Sequence, residues 1–380
     1  MIYLDNSATT RTLDAAADAA RTYMTTRFFN PSAAYSAAAE TEKAVEAARA
    51  RLAFALDAKP EEIVYTSGAT ESNNAAISGA LKAMRGKGRL IVGATEHPSA
   101  YEVVKAYSRQ GYDVVEAPVD STGAVDLAAL STLLTEDTRL VSVMQVNNEV
   151  GAVNDCAAIY RAVKAAAPEA VVHTDGVQGF LKVPFDAKDC DFYALSAHKF
   201  HGPKGVGALY VKTGVRFAGG QAGGGQEKDR RSGTTNTPGI MGMDAAVADH
   251  LAHLEEYRKH MMACKLRLAK NLSGIRDVLI NGPKPAQGAP HILNVSILGV
   301  RGEVMLHALE AREVFVSTGS ACSAHKKGKN RILTAMGVTG ARQEGALRLS
   351  LCPFNTLEEM DAAAAIIAEQ AAFLRKYKRR

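Results

Sequence analysis

Long apolar runs are missing from this chain, and so are paired cysteines and any large excess of charge of one sign. No stretch approaches the ~20 apolar residues that a membrane span requires, and Met1-Ile2-Tyr3-Leu4-Asp5-Asn6 has neither the basic flank nor the apolar core of a secretion signal. The expectation is a cytoplasmic protein without a membrane partner. The five cysteines, Cys156, Cys190, Cys264, Cys322 and Cys352, are odd in number and include no Cys-x-x-Cys pair, which argues against a disulfide framework and against a zinc site. At least one of them is a candidate working thiol. A formal net charge of +5 is mild for 380 residues and gives no sign of direct nucleic-acid binding. Tryptophan is absent too, which excludes nothing.

What is present is an ordinary globular composition, 47% hydrophobic and 22% charged, in a chain long enough for two cores. From about residue 60 to 211, short apolar runs alternate with helical patterns: Ile63 to Thr66, Leu90 to Gly93, Leu140 to Met144, Ala170 to His173, and Asp191 to Leu195. Strands without polar alternation are buried on both faces, so this rhythm predicts an α/β fold with a mostly parallel sheet between helices. Functional side chains then belong at the strand ends, where loops gather. The segment Gly219 to Gln226 is a loop, because each glycine costs roughly 1 kcal/mol inside a helix. One long helical region follows over 239–272, then a strand at Ile292 to Ile297, a helix at Gly302 to Ala311 and a strand at Leu347 to Leu351. A last helix opens with Thr356 and Glu359 in capping-box spacing. This second set reads as a smaller α+β domain, with the extended arm Met1 to Thr10 crossing between the two. The expected bounds are 14–255 for the large domain, and 1–13 with 256–380 for the small one.

Ser196-Ala197-His198-Lys199 sits where a buried strand runs into the turn His201-Gly202-Pro203-Lys204-Gly205. An amine that condenses with an aldehyde must be desolvated and rigidly held beside a phosphate seat, and this frame suits it; a hairpin lysine facing water is the plainer account. Ser67-Gly68-Ala69-Thr70 follows a strand and opens a helix, so its free N–H groups and the Thr70 hydroxyl form a natural phosphate seat, although ordinary helix caps are commoner. Asp175 and Gln178 lie at the end of the strand before the one that carries Lys199. An aspartate there could hold a pyridinium nitrogen protonated, or simply cap the next helix. His97, just ahead of Pro98, can stack on a flat ring and move protons near neutral pH. Asn147, Asn148 and Glu149 put two amides and an acid at a fourth strand end. Arg348, inside an apolar strand, requires a carboxylate partner, either a substrate's or a structural one. Finally, Ser317-Thr318-Gly319-Ser320-Ala321-Cys322-Ser323-Ala324 and the basic run His325-Lys326-Lys327-Gly328-Lys329 place Cys322 among small residues and positive charge. That is the setting of a reactive thiolate on a mobile loop over about 317–329. The other four cysteines lie in apolar or helical settings and read as inert.

Taken jointly, Tyr3 to Thr10, Gly68 to Asn74, Thr95-Glu96-His97, Val146 to Gly151, His173 to Gln178, Ser196 to Lys199, Arg231-Ser232-Gly233-Thr234 and Ser317 to Ser323 carry a resemblance over nearly the whole chain. They resemble the cysteine desulfurases of the NifS/IscS-like group, within the class V aminotransferases of pyridoxal phosphate fold type I. The resemblance implies a large domain with a mostly parallel seven-stranded sheet between helices, plus a small domain carrying the cysteine loop. It implies pyridoxal 5'-phosphate as cofactor, with Lys199 as the Schiff-base lysine, Asp175 on the pyridine nitrogen, Gln178 on the ring hydroxyl, and His97 stacked on the ring in a catalytic role. Ala69, Thr70, Ser196 and His198 fall at the phosphate, joined by Thr234 of a neighbouring subunit, which implies a homodimer. Asn148 would lie against cofactor and substrate, and Arg348 would grip the carboxylate of L-cysteine. Cys322 would take the sulfur as a persulfide, leaving L-alanine, and pass it to an acceptor protein. That acceptor is a tRNA-thiolation enzyme or an iron–sulfur scaffold, and the cysteine loop together with Ala289-Pro290-His291 is closer to the first kind. No resident metal is expected, although Cys322 could transiently ligate an iron–sulfur cluster. Three departures, Tyr35 in place of a frequent histidine, Leu351-Cys352-Pro353 without a glycine, and the basic run 325–329, bear on the acceptor rather than on the cofactor. A selenocysteine lyase or other class V enzyme, in which Cys322 is dispensable, and a sulfur carrier without turnover are the alternatives.

Overall fold

A computed structural model describes residues 1–318 and 330–376. The strands are β1 (Ile2–Tyr3), β2 (Ile63–Thr66), β3 (Arg89–Gly93), β4 (Asp113–Ala117), β5 (Thr138–Met144), β6 (Val171–Asp175), β7 (Phe192–Ser196), β8 (Gly207–Val211), β9 (Val278–Asn281), β10 (Ile292–Ile297), β11 (Val314–Phe315) and β12 (Ala346–Ser350). The helices are α1 (Asp14–Thr25), α2 (Ser36–Ala55), α3 (Ala69–Ala83), α4 (Pro98–Ala106), α5 (Leu127–Leu133), α6 (Cys156–Ala166), α7 (Thr237–Ala252), α8 (Leu254–Ser273), α9 (Gly302–Glu310), α10 (Arg331–Ala335), α11 (Gly340–Glu344) and α12 (Leu357–Arg375).

Seven strands form one sheet in the order β2-β8-β7-β6-β5-β3-β4. Only β8 runs against its neighbours, so the other six point the same way. The continuous apolar runs have the predicted consequence: β6 and β7 are buried at every residue. Alternate side chains serve opposite faces. Val171 and Phe192 join Ile77, Leu81 and Val104 of α3 and α4 on one side, while Val172 meets Ile159 and Val163 of α6 on the other, where Tyr193 also packs with Leu52 of α2 and Met243 of α7. Truncating the fully buried Phe192 to alanine would cost about 3–5 kcal/mol, the usual toll of an aromatic cavity. Met144 pairs with Asp175 and Asp175 with Ala194, which sets the C-terminal ends of β5, β6 and β7 side by side.

A second core lies around the antiparallel sheet β12-β10-β9, where Leu293, Val295, Leu347 and Leu349 pack on Leu268 of α8 and Met360 and Ile367 of α12. Leu4 is buried in this core although it belongs to the N-terminal arm. The arm then runs past β12, where Asn6 Nδ2 donates to the Ser350 carbonyl at 3.0 Å, and on to the end of β7, where Thr10 N–H donates to the His198 carbonyl at 2.9 Å.

Several expectations need adjustment. The helical region over 239–272 is two helices, because the backbone leaves the helical range at His253 (φ −122°, ψ 19°). β3 stops at Gly93 and β5 at Met144, so His97 and Asn148 stand in the loops beyond their strands rather than on them. β4 and β9 are not among the expected strands; both are partly exposed edges, and β9 offers only the three-residue apolar run Val278-Leu279-Ile280. The capping box of α12 forms as read, Thr356 Oγ1 accepting from Glu359 N–H. Residues 319–329, and Cys322 with them, lie outside the described residues, as do Lys378, Arg379 and Arg380.

Candidate active site

The ends of β3, β5, β6 and β7 open on a cavity of about 400 Å³ whose wall includes Ala69, Thr70, His97, Asn148, Asp175, Gln178, Ser196, His198, Lys199 and Arg348. Nine of these ten positions lie at or just past strand ends of the seven-stranded sheet, as the strand-end rule requires, and Arg348 comes from β12 of the other sheet. Lys199 closes a single helical turn after β7, and its Nζ donates to the carbonyls of Ser7 at 2.6 Å and Ala8 at 2.8 Å. The arm therefore holds the amine in the cavity, which rules out the water-facing hairpin.

At the start of α3, Gly68 precedes the helix with φ +147°, and a Cβ on Gly207 of the neighbouring strand would stand 2.8 Å from the Gly68 Cα. Two backbones approach here closer than any side chain allows. No side chain caps α3, so the first-turn N–H groups at Ala69 and Thr70 and the positive end of a 15-residue helix face the cavity beside Ser196 and His198. Burial, reinforced by Lys199 and Lys204, pushes the His198 imidazole down to about 4, so it is neutral at physiological pH.

Asp175 is held on both oxygens: Oδ1 accepts from Val177 N–H at 3.0 Å and Oδ2 from Asn73 Nδ2 at 2.8 Å. Asn73 also donates to Ser99 Oγ at 2.9 Å, and its carbonyl oxygen meets His173 Nε2 at 3.0 Å. His173 completes the set through Nδ1 and Ser142 Oγ at 2.9 Å, and burial pushes it down to about 4. Ser99 carries the network to His97, whose Nδ1 accepts from Ser99 N–H at 3.2 Å and lies 2.8 Å from its Oγ. Burial lowers the pKa of His97; Asp175 opposes this, and Lys199 and Arg331 deepen it.

Gln178 donates to the Ser7 carbonyl at 3.0 Å and meets His291 at 3.3 Å. Arg348 has a structural partner within the protein: Nη2 pairs with Asp5 at 2.6 Å and Nη1 donates to the Asn148 carbonyl at 3.0 Å, while Nε has no partner. Asn148 Oδ1 is likewise buried without a partner. Next to it, burial lifts Glu149 to about 7. Thr234 does not line the cavity; it is exposed in a separate surface pocket with Thr66, Ser67 and Arg231. Cys156, Cys190, Cys264 and Cys352 all have thiol pKa values raised by burial, which accords with inert roles.

Asn73, Ser99, Ser142, Asn330 and Arg331 went unmarked in the sequence. Asn73 falls three residues after Thr70, on the turn of α3 that faces back to the sheet, and helical spacing from a phosphate-seat residue was the available signal. The others had none.

A family model for class-V aminotransferases matches residues 2–363. A protein named cysteine desulfurase IscS, from Methanosarcina thermophila, is 38% identical over 377 residues, 98% of this chain and 93% of that protein. A solved structure described as a NifS-like protein superposes with a TM-score of 0.92 at 37% identity, covering 98% of this chain and 99% of the other. A second, SspA in complex with cysteine, gives a TM-score of 0.78 at 29% identity over 94% and 100% of the two chains. The chain belongs to the class-V aminotransferase family and, within it, to the pyridoxal phosphate-dependent cysteine desulfurases. The cavity fits that cofactor on its own evidence, since it offers an uncapped helix end for a phosphate, a half-buried lysine for an aldehyde, and an oriented carboxylate for a ring nitrogen.

Proposed function

We propose that this site removes sulfur from L-cysteine with Lys199, Asp175, Gln178 and His97 around the cofactor ring. In this reading Ala69, Thr70, Ser196 and His198 hold its phosphate, and Asn148 and Arg348 hold the substrate. One observation carries it: Lys199 and the doubly anchored Asp175 share a cavity with Arg348, whose guanidinium keeps one N–H unpaired. When bound, pyridoxal phosphate supplies an aldehyde that condenses with amines and a ring that withdraws electrons from bonds at the amino acid's α-carbon. Asp175 would face the ring nitrogen with a carboxyl group whose two oxygens are both fixed by hydrogen bonds. His97 is oriented by Ser99 through Nδ1, which leaves Nε2 as the proton-bearing nitrogen for the cavity. Arg348 and Asn148, each with one buried polar atom that has no partner in the protein, would take the carboxylate and ammonium of the amino acid.

The Cys322 thiolate then bonds to the substrate sulfur as the carbon–sulfur bond breaks. The electron pair stays on the three-carbon product, which takes up a proton and leaves as L-alanine, and the persulfide passes to an acceptor protein, a tRNA-thiolation enzyme or an iron–sulfur scaffold. Exposure of Thr234 supports a homodimer in which it reaches the partner's phosphate site. The cores support the division into residues 14–255 and residues 1–13 with 256–380. No described helix is long and apolar enough to cross a membrane, in keeping with a cytoplasmic enzyme.

The test is alanine release from L-cysteine by the cofactor-loaded chain and by its Cys322→Ala and Lys199→Ala variants. Both should lose turnover by at least about a thousandfold, and Lys199→Ala should also lose the visible absorption of the bound cofactor. Full-rate alanine release from Cys322→Ala would overturn the sulfur-transfer step.

A further inference from the structure

Arg331 stands on the cavity wall without a part in the chemistry assigned above. It opens α10, whose cap is Asn330, with Oδ1 accepting from Leu333 N–H at 2.9 Å. Its guanidinium carbon lies 3.9 Å from the centre of the Tyr101 ring, and its two terminal nitrogens donate to the carbonyls of Ala94 and Glu96. Those carbonyls bracket the turn that leads from β3 into His97. Among the described residues, the hydrogen bonds of Arg331 all go to these two neutral oxygens, while the carboxyl groups of Glu96, Glu116 and Glu149 lie near enough to feel its charge. A fork that bridges two carbonyls while stacked on an aromatic face is a geometry that lysine cannot reproduce. The preceding residue acts in parallel, because Asn330 Nδ2 donates to Glu149 Oε2 at 2.6 Å, beside Asn148. Two consecutive residues of α10 and its cap therefore tie down the loops that carry His97 and Asn148.

We propose that Arg331 is a positioning residue of the desulfurase site: it pins the Ala94–Glu96 turn, and with it the His97 ring, and sets a positive charge beside that ring. The inference rests on the reading of His97 given above. The groups that face His97 are Asp175 from β6, Lys199 from the turn after β7 and Arg331 from α10. Ser99, from its own helix, bonds to it directly, with Asn73 of α3 behind, and Glu96 precedes it in the chain. Asp175 favours the charged imidazole, whereas Lys199 and Arg331 disfavour it.

Arg331→Gln and Arg331→Lys separate charge from geometry in the full-length, cofactor-loaded protein. His97 is followed by NMR titration of histidine-labelled chain, assigned with His97→Gln, alongside kcat and KM for L-cysteine. With glutamine, the His97 midpoint should move to higher pH, and kcat should fall about tenfold or more while KM changes less than about threefold. With lysine, the midpoint should stay near wild type, and kcat should remain low because an ammonium group cannot span both carbonyls. An unmoved midpoint together with wild-type kcat in Arg331→Gln overturns the proposal. Should that variant not fold, wild-type kcat in Arg331→Lys overturns the positioning role. The titration needs no turnover, so a chain without desulfurase activity would defeat the functional reading and leave the Arg331 inference tested on its own.

Discussion

The wall of the cavity around Asp175 and the wall around Arg348 are built on opposite terms. Around Asp175, the polar atoms of Asn73, Ser99, Ser142 and His173 answer one another within the protein. Around Arg348, Asn148 Oδ1 and Arg348 Nε are buried with no partner, and Glu149 is held at a pKa near 7. A satisfied network is rigid and costs nothing more when a ligand arrives, whereas unpaired buried atoms are a standing penalty that a ligand relieves. On the function proposed above, the first wall would serve the resident cofactor and the second the substrate that comes and goes.

The largest expected contrast is in acid and base. His173 is neutral when folded, with its pKa near 4 against an ordinary 6.5, so its contribution is complete above pH 6.5 and is lost as pH falls toward 4. Glu149 has the opposite sign: its folded pKa near 7 against 4.5 means that stability is lost as pH rises through that interval. Each slope approaches about 1.4 kcal/mol per pH unit. Urea titrations of the cofactor-free chain from pH 4 to 7 should therefore show His173→Gln flattening the acid-side loss and Glu149→Gln flattening the loss on the neutral side; slopes shifted the same way by both variants would break the contrast. Somewhat smaller is the effect of Asn73→Ala, which strands His173 Nε2 and Asp175 Oδ2 and should cost about 2–4 kcal/mol in the same assay. Smallest is Asn148→Ala, expected to change stability by less than about 0.5 kcal/mol because its Oδ1 has no bond to lose, while raising KM for L-cysteine about tenfold. A stability loss equal to that of Asn73→Ala would show that both walls are structural.

Much of this was legible beforehand. Apolar runs are local signals, and the residues just past a strand are carried to the same sheet edge whatever the helices between do, so Lys199, Asp175, His97 and the Gly68 turn could be placed together from spacing alone. Thr234 was legible as a motif, but no local rule says that it faces away from the cavity of its own chain. β4 was missed because Asp113 and Glu116 break its apolar run, and β9 because Val278-Leu279-Ile280 is too short a run to stand out, so neither edge strand has a strong local signature.

The order of amino acids was enough to set the elements, the sheet edge where chemistry would gather, and the residue types available there, because each of these follows from contacts a few positions apart. Which partner each of those residues takes was settled by folding. Asn73 and Asp175 are 102 positions apart, Asp5 and Arg348 are 343 apart, and a hydrogen bond reads distance in space while the chain records distance along itself.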